Sequence, residues 1–317
     1  MTYVEALKDG FKTVHKNWQL VLIQFLSMLI SFISFFIIVG TPIGIAFIIF
    51  GLDLTEILKM SDVFSAFRDS AELLKKYFAM AIVIILSLLA YLSFIVVLWT
   101  FTFGGIIGVI TDNIFDEKQR FGLKIFINDG KRYFFPVFIF SAVIGIIFIV
   151  ISFVLVILGG ISSSIIEIAK GEEVTFALFL GVFFSLILVS AGLFLILATL
   201  AITVYGIATL AFKHTKSFET LKVTAKYLVS TPSAIWFYGL LMLGYALVSL
   251  IFMLIGSPIT FIPFIGPLLA VPYHLLLYLV QGYFGLITIA AAFHYYHKTA
   301  FVAPVEKPEL PEHVQEV

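Results

Sequence analysis

Residues 5 to 18 read EALKDGFKTVHKNW, and the chain continues without a spacer as QLVLIQFLSMLISFISFFIIVG over 19 to 40. The first stretch sets Val4, Leu7, Phe11, Val14 and Trp18 at helical spacing beside Lys8, Lys12 and Lys16. That is the pattern of a helix lying in a membrane interface, apolar residues in the acyl boundary and cations among headgroups. The second stretch exceeds the roughly 17 to 20 apolar residues that cross a hydrocarbon core about 30 Å thick. Thr2 and Glu5 stand at capping-box spacing, so the helix starts at the N-terminus; a cleaved signal peptide is not expected, and the first apolar run serves as its own insertion signal.

The whole chain extends this reading. Of 317 residues 62% are hydrophobic and 12% charged, and the apolar ones fall in runs at roughly 18–52, 78–111, 134–160, 174–212, 233–256 and 259–293. Such runs define an all-α polytopic membrane helix bundle. A net charge of zero gives no global field directed at nucleic acid. The absence of cysteine excludes disulfides, thiolate metal sites and thiol nucleophiles.

Lys and Arg mark the side of each joint. They occur at Lys8, Lys12 and Lys16, in 53–77 and 112–133, at Lys213, Lys216, Lys222 and Lys226, and at Lys298. By contrast 159–175 carries one cation, Lys170, and 256–267 carries no charge. The basic joints are assigned to the cytoplasm, with both termini, in a cell (inner or cytoplasmic) membrane. Four hairpins then follow: two full ones, and two short ones turning at Gly40-Thr41-Pro42 and near Thr102-Phe103-Gly104-Gly105. This makes six full spans plus short or re-entrant limbs, up to eight membrane segments. The rival is a six-span chain in which 18–52 and 78–111 are single tilted helices and 53–77 lies outside.

The opening stretch recurs. Lys8, Arg68, Lys124 and Lys222 occupy one register, followed eight residues later by Lys16, Lys76, Arg132 and, as the exception, Ser230. Apolar stripes repeat with them: Val63, Phe67, Ala71, Leu74 and Phe78; Leu123, Phe126, Ile127, Gly130 and Phe134; Phe218, Leu221, Ala225 and Leu228. One transmembrane domain, 1–302, is therefore expected to comprise four amphipathic-helix-plus-hairpin units at about 1–58, 61–115, 119–212 and 216–298. The basic residues Lys8, Lys16, Arg68, Lys76, Lys124, Arg132 and Lys222 point to membrane lipids, anionic ones, as partners. A homo-oligomer is compatible with this pattern. The tail 303–317, rich in Pro and Glu, reads as a disordered cytoplasmic end.

Candidate chemistry is sparse. No HExxH, GxSxG, Walker A or paired aspartates occur in a span, which points away from an enzyme, and no cofactor or metal is expected. The polar constellation is His274, Tyr278, Gln281, Gly285 and Thr288, all on one helix face. It reads either as a hydrophilic path or headgroup site, or as a packing face whose groups bond across the bundle. Gln24, Ser27, Ser31 and Ser34 form a matching stripe in the first block; Ser185, Gly192, Thr199 and Gly206 form a small-residue packing stripe. His294 and His297 lack a third metal ligand. Four prolines in 257–272 leave that stretch either a re-entrant element beside His274 or an outside turn.

Basic amphipathic helices leading into Phe/Ile-rich spans, as in ALKDGFKTVHKNW and its counterparts, resemble prokaryotic multi-pass families that include the membrane domain attached to some glycerophosphoryl diester phosphodiesterases. The resemblance covers most of the chain as a pattern. It implies catalysis by a separate soluble domain, which has no counterpart in these residues, so no active site carries over. The reading is a non-enzymatic lipid-interacting scaffold or membrane assembly factor, with a small-solute permease or channel as the alternative.

Overall fold

The computed structural model describes residues 2–49, 70–213, 215–258 and 265–301. Among them the chain is helical, without a strand. Helix α1 (Tyr3–Lys16) precedes α2 (Gln19–Phe35), which passes through a π-helical turn (Phe36–Gly40) into α3 (Thr41–Ile49). Then come α4 (Ser70–Phe115), α5 (Leu123–Glu172), α6 (Val174–Lys213), α7 (Ser217–Ser230), α8 (Pro232–Gly256) and α9 (Ile265–Tyr296), closed by a second π-helical turn (His297–Phe301). Six helical stretches among these residues are long and apolar enough to cross a membrane. The protein is an all-α polytopic membrane helix bundle.

Both short hairpins are corrected. Gly40-Thr41-Pro42 does not reverse the chain, because the π-helical turn absorbs the proline: the Thr41 N–H bonds to Phe36 O five residues back. Thr102–Gly105 lies inside α4. Its glycines allow close approach rather than a turn, since a Cβ on Gly104 would sit 3.3 Å from Tyr133 Cβ and one on Gly105 2.5 Å from the Phe126 ring. A turn within an apolar block would leave backbone groups unpaired in lipid, whereas an unbroken helix satisfies them. The first two blocks thus each supply one long apolar helical stretch, and 53–77 joins them. Residues 50–69 of that joint, including Arg68, Val63 and Phe67, lie outside the described residues, as does the tail 303–317. Lys76 falls within α4, with no break between it and the span.

The chain forms two compact units, Leu22–Phe103 and Met1–Val21 with Gly104–Val317. In the first, Ser27 Oγ and Thr102 Oγ1 share a hydrogen bond of 2.9 Å, and Tyr91 donates to Ser31 O at 3.4 Å while its ring meets Phe35 edge-on. In the second, the core gathers at one end of the spans. Gly104–Thr111 of α4, Tyr205–Phe212 of α6 and Ala290–Phe293 of α9 are continuously buried. Elsewhere the span side chains are open, Ile149 69% and Phe179 64% exposed, as lipid-facing residues are. On α6 the small-residue stripe faces α5: a Cβ on Gly192 would lie 3.6 Å from Leu155, and one on Gly206 would overlap the Phe140 ring.

Candidate functional site

Three amphipathic segments dock on three span ends in one register. Helix α1 buries Ala6, Gly10, Thr13 and Val14; α7 buries Thr220, Thr224, Tyr227 and Leu228 at the same four repeat positions. The first turns of α5 bury Phe126, Asp129 and Gly130, equivalent to Gly10, Thr13 and Val14. Each face lies against the end of a span. A Cβ on Gly10 would come within 2.6 Å of Ala291 N on α9; Thr224 Oγ1 bonds to Thr209 Oγ1 of α6 at 3.0 Å; a Cβ on Gly108 of α4 would overlap Asp129. On α5 and α7 the segment docks on the span just before it in the chain, but α1 docks on the last span. The N-terminal helix thereby completes the third pair.

At 100° per residue, the turn of an α-helix, α1 divides into three sectors. Ala6, Gly10, Thr13, Val14 and the fully buried Asn17 face inward. Val4, Leu7, Phe11 and Trp18 point outward, 74, 44, 48 and 52% exposed. Lys8 and Lys12, both exposed, and half-buried Lys16 share the third sector with Glu5 and Asp9. The expected apolar stripe is therefore divided: Val14, and Leu228 in α7, leave it for the docking face. The inward face was missed by sequence reasoning because it is small and hydroxylated rather than apolar; Gly10 in mid-helix, where glycine costs about 1 kcal/mol relative to Ala, was its signal.

Polar groups fix the docking. The capping box forms, with Glu5 N donating to Thr2 Oγ1 at 3.3 Å and Thr2 N to Glu5 Oε2 at 3.0 Å. The Thr2 N–H holds the Glu5 carboxyl below its ordinary range. Thr13 Oγ1 meets His294 Nε2 at 2.9 Å, Tyr3 donates to Ser233 O at 3.1 Å, and Lys298 pairs with Asp9 at 3.5 Å. At its other end α1 grips the α4–α5 loop. Lys12 pairs with Glu117 Oε2 at 2.9 Å, Lys16 donates to Glu117 O, and Phe121 N donates to Asn17 Oδ1 at 2.7 Å. The hydrogen bond from Lys12 lowers the Glu117 carboxyl and raises the Lys12 ammonium. On α7, burial raises the Tyr227 phenol, whose oxygen meets Thr299 Oγ1 at 2.7 Å.

The other predicted residues are placed as follows. Helix α9 runs unbroken from Ile265, so His274 lies on a regular helix that includes Pro272; residues 259–264 of the proline-rich stretch lie outside the described residues. His274 is exposed, its Nδ1 2.7 Å from Ala270 O one turn back. Tyr278 and Gln281 are half-buried, and Thr288 is buried and donates to Phe284 O at 3.1 Å. In the other unit Ser31 donates to Ser27 O, while Gln24 Oε1 is buried without a partner. Lys124, Arg132 and Lys222 are exposed. His294 is taken by Thr13, and the His297 ring lies between Phe115 and Phe212 at 5.5 and 5.2 Å.

Comparison of the chain with protein-family models, with curated proteins and with solved structures finds no match.

Proposed function

We propose that this multi-pass protein is a non-enzymatic, lipid-interacting scaffold whose docked amphipathic helices sit in the cytoplasmic interface and gather anionic lipid around the bundle. The supporting observation is the three-sector form of α1: its small face is held by α9, leaving Val4, Leu7, Phe11 and Trp18 outward beside the exposed Lys8 and Lys12. A helix held on one side, apolar on the second and basic on the third suits a membrane surface better than either water or a span. Each interfacial cation near an anionic surface contributes about 1 kcal/mol. The solute-pathway alternative has less behind it, since His274 is exposed and bonded to its own helix.

Spin-labelled lipids in reconstituted vesicles test the proposal. The motionally restricted fraction should be larger for phosphatidylglycerol than for phosphatidylcholine, and the preference should fall in Lys8→Gln/Lys12→Gln. Equal fractions for the two lipids in the unmodified protein would overturn the reading.

A further inference from the structure

The α4–α5 pair carries a carboxylate at a docking position where its two counterparts carry none. Thr13 in α1 and Tyr227 in α7 are neutral and partnered, by His294 and by Thr299. Their equivalent in α5 is Asp129, a carboxylate only 4% exposed, with Oδ2 buried and unpartnered. On α4, one turn beyond the Gly108 against which Asp129 packs, Thr111 is 2% exposed and its hydroxyl is also unpartnered. Native proteins rarely leave such atoms unsatisfied; a bound ion or water is the usual reason. Thr111 lies three residues from Gly108 and so shares the helix face on which Asp129 packs.

The backbone is shaped for this. Gly108, without a Cβ, is the only residue type that admits the Asp129 side chain, whose Oδ2 would lie 2.6 Å from a Cβ built there. Thr111 and Asp112 follow Gly108 by three and four residues and share its helix face. Asp112 is half-buried, one oxygen accepting from Gln119 Nε2 at 3.2 Å, and opens the cluster toward the exposed α4–α5 loop. Neither Asp129 Oδ2 nor the Thr111 hydroxyl has a hydrogen-bond partner, and one body bound at this face would satisfy both. Among the described residues the charges that act on Asp129 are Asp112 and Arg132; with both carboxylates ionised, these leave a single negative charge. Oxygen donors suit a hard cation. No group of three His, Cys, Asp or Glu among the described residues suits a transition metal.

We propose that the α4–α5 junction binds one hard monovalent cation, such as sodium, between the Asp129 carboxylate and the Thr111 hydroxyl, with the Asp112 carboxylate completing the site on its solvent side. The ion would balance the one uncompensated charge and tie α5 to α4 where its sister pairs use neutral hydrogen bonds.

Equilibrium binding of radioactive sodium to the purified full chain, at ionic strength held constant with N-methylglucamine chloride, tests this. Saturable binding of one ion per chain is expected, abolished by Asp129→Asn, weakened at least tenfold by Thr111→Val and unchanged by Asp9→Asn. No saturable binding to the unmodified chain, as when a water or proton occupies the site, overturns the proposal. So does binding that survives Asp129→Asn. Should that variant not fold, the near-isosteric Thr111→Val decides, and undiminished binding there overturns the proposal equally.

Discussion

Gly10→Ala should loosen α1 from α9, against the ordinary effect of this substitution. In an exposed helix the change gains about 1 kcal/mol. Here the added methyl would meet Ala291 N at 2.6 Å, its Cα at 2.8 Å and its Cβ at 2.9 Å. Two of these atoms belong to the backbone of a buried helix, so neither rotates away. Overpacking of this kind costs about 1–3 kcal/mol. The net change is then a loss of up to about 2 kcal/mol in docking, and Gly10→Leu should lose more. Gly145→Ala in α5, with nothing within 4 Å of its new methyl, is the control and should be neutral or stabilising. Amide hydrogen exchange over residues 3–16 reads the effect, because a 14-residue helix is marginal once undocked. A loss of 1–2 kcal/mol speeds exchange roughly five- to thirtyfold. Exchange in Gly10→Ala as slow as in Gly145→Ala would refute the close approach.

Further outcomes follow from the same contacts. Thr209 is fully buried and its Oγ1 meets Thr224 Oγ1 and Tyr296 Oη at 3.0 and 2.8 Å; Thr209→Val should cost about 1–3 kcal/mol for the hydroxyls left unpaired, read as a lower unfolding temperature than Thr203→Val, whose hydroxyl bonds only along its own helix. Thr2→Ala removes the cap and should cost α1 about 1 kcal/mol, visible as faster exchange in its first turn. The Glu117 carboxyl is lowered by Lys12, so the pair's contribution is present above the carboxyl's unfolded value and is lost as pH falls through the folded one. Both partners are exposed, so the effect is small and screened by salt; the protection factors of the α1 amides should fall on acidification at low salt, and Glu117→Gln should flatten that response.

The six apolar blocks were readable because hydrophobic length acts locally. Gly40-Thr41-Pro42 was misread because a π-helical turn accommodates the proline, and Thr102–Gly105 because glycines that serve turns in water serve close helix contacts here. In the docking site, Lys8, Lys12 and the outward apolar residues were legible as an amphipathic pattern. Ala6 and Thr13 were not, since their role depends on α9, more than 250 residues away in the chain, nor was Asn17, whose partner is Phe121 in the α4–α5 loop. Asp129 carries no local signal of burial; it emerges only when Gly108 is seen opposite it.

The most direct test of the account is a cysteine scan of residues 4 to 18, unambiguous in a chain without native cysteine, with spin labels read in lipid nanodiscs by oxygen and nickel-chelate accessibility. The account predicts oxygen maxima at 4, 7, 11 and 18, nickel maxima at 8 and 12, and low access to both at 6, 13 and 14. Oxygen or nickel maxima at 6 and 13 would contradict it, for α1 would then float free of the bundle.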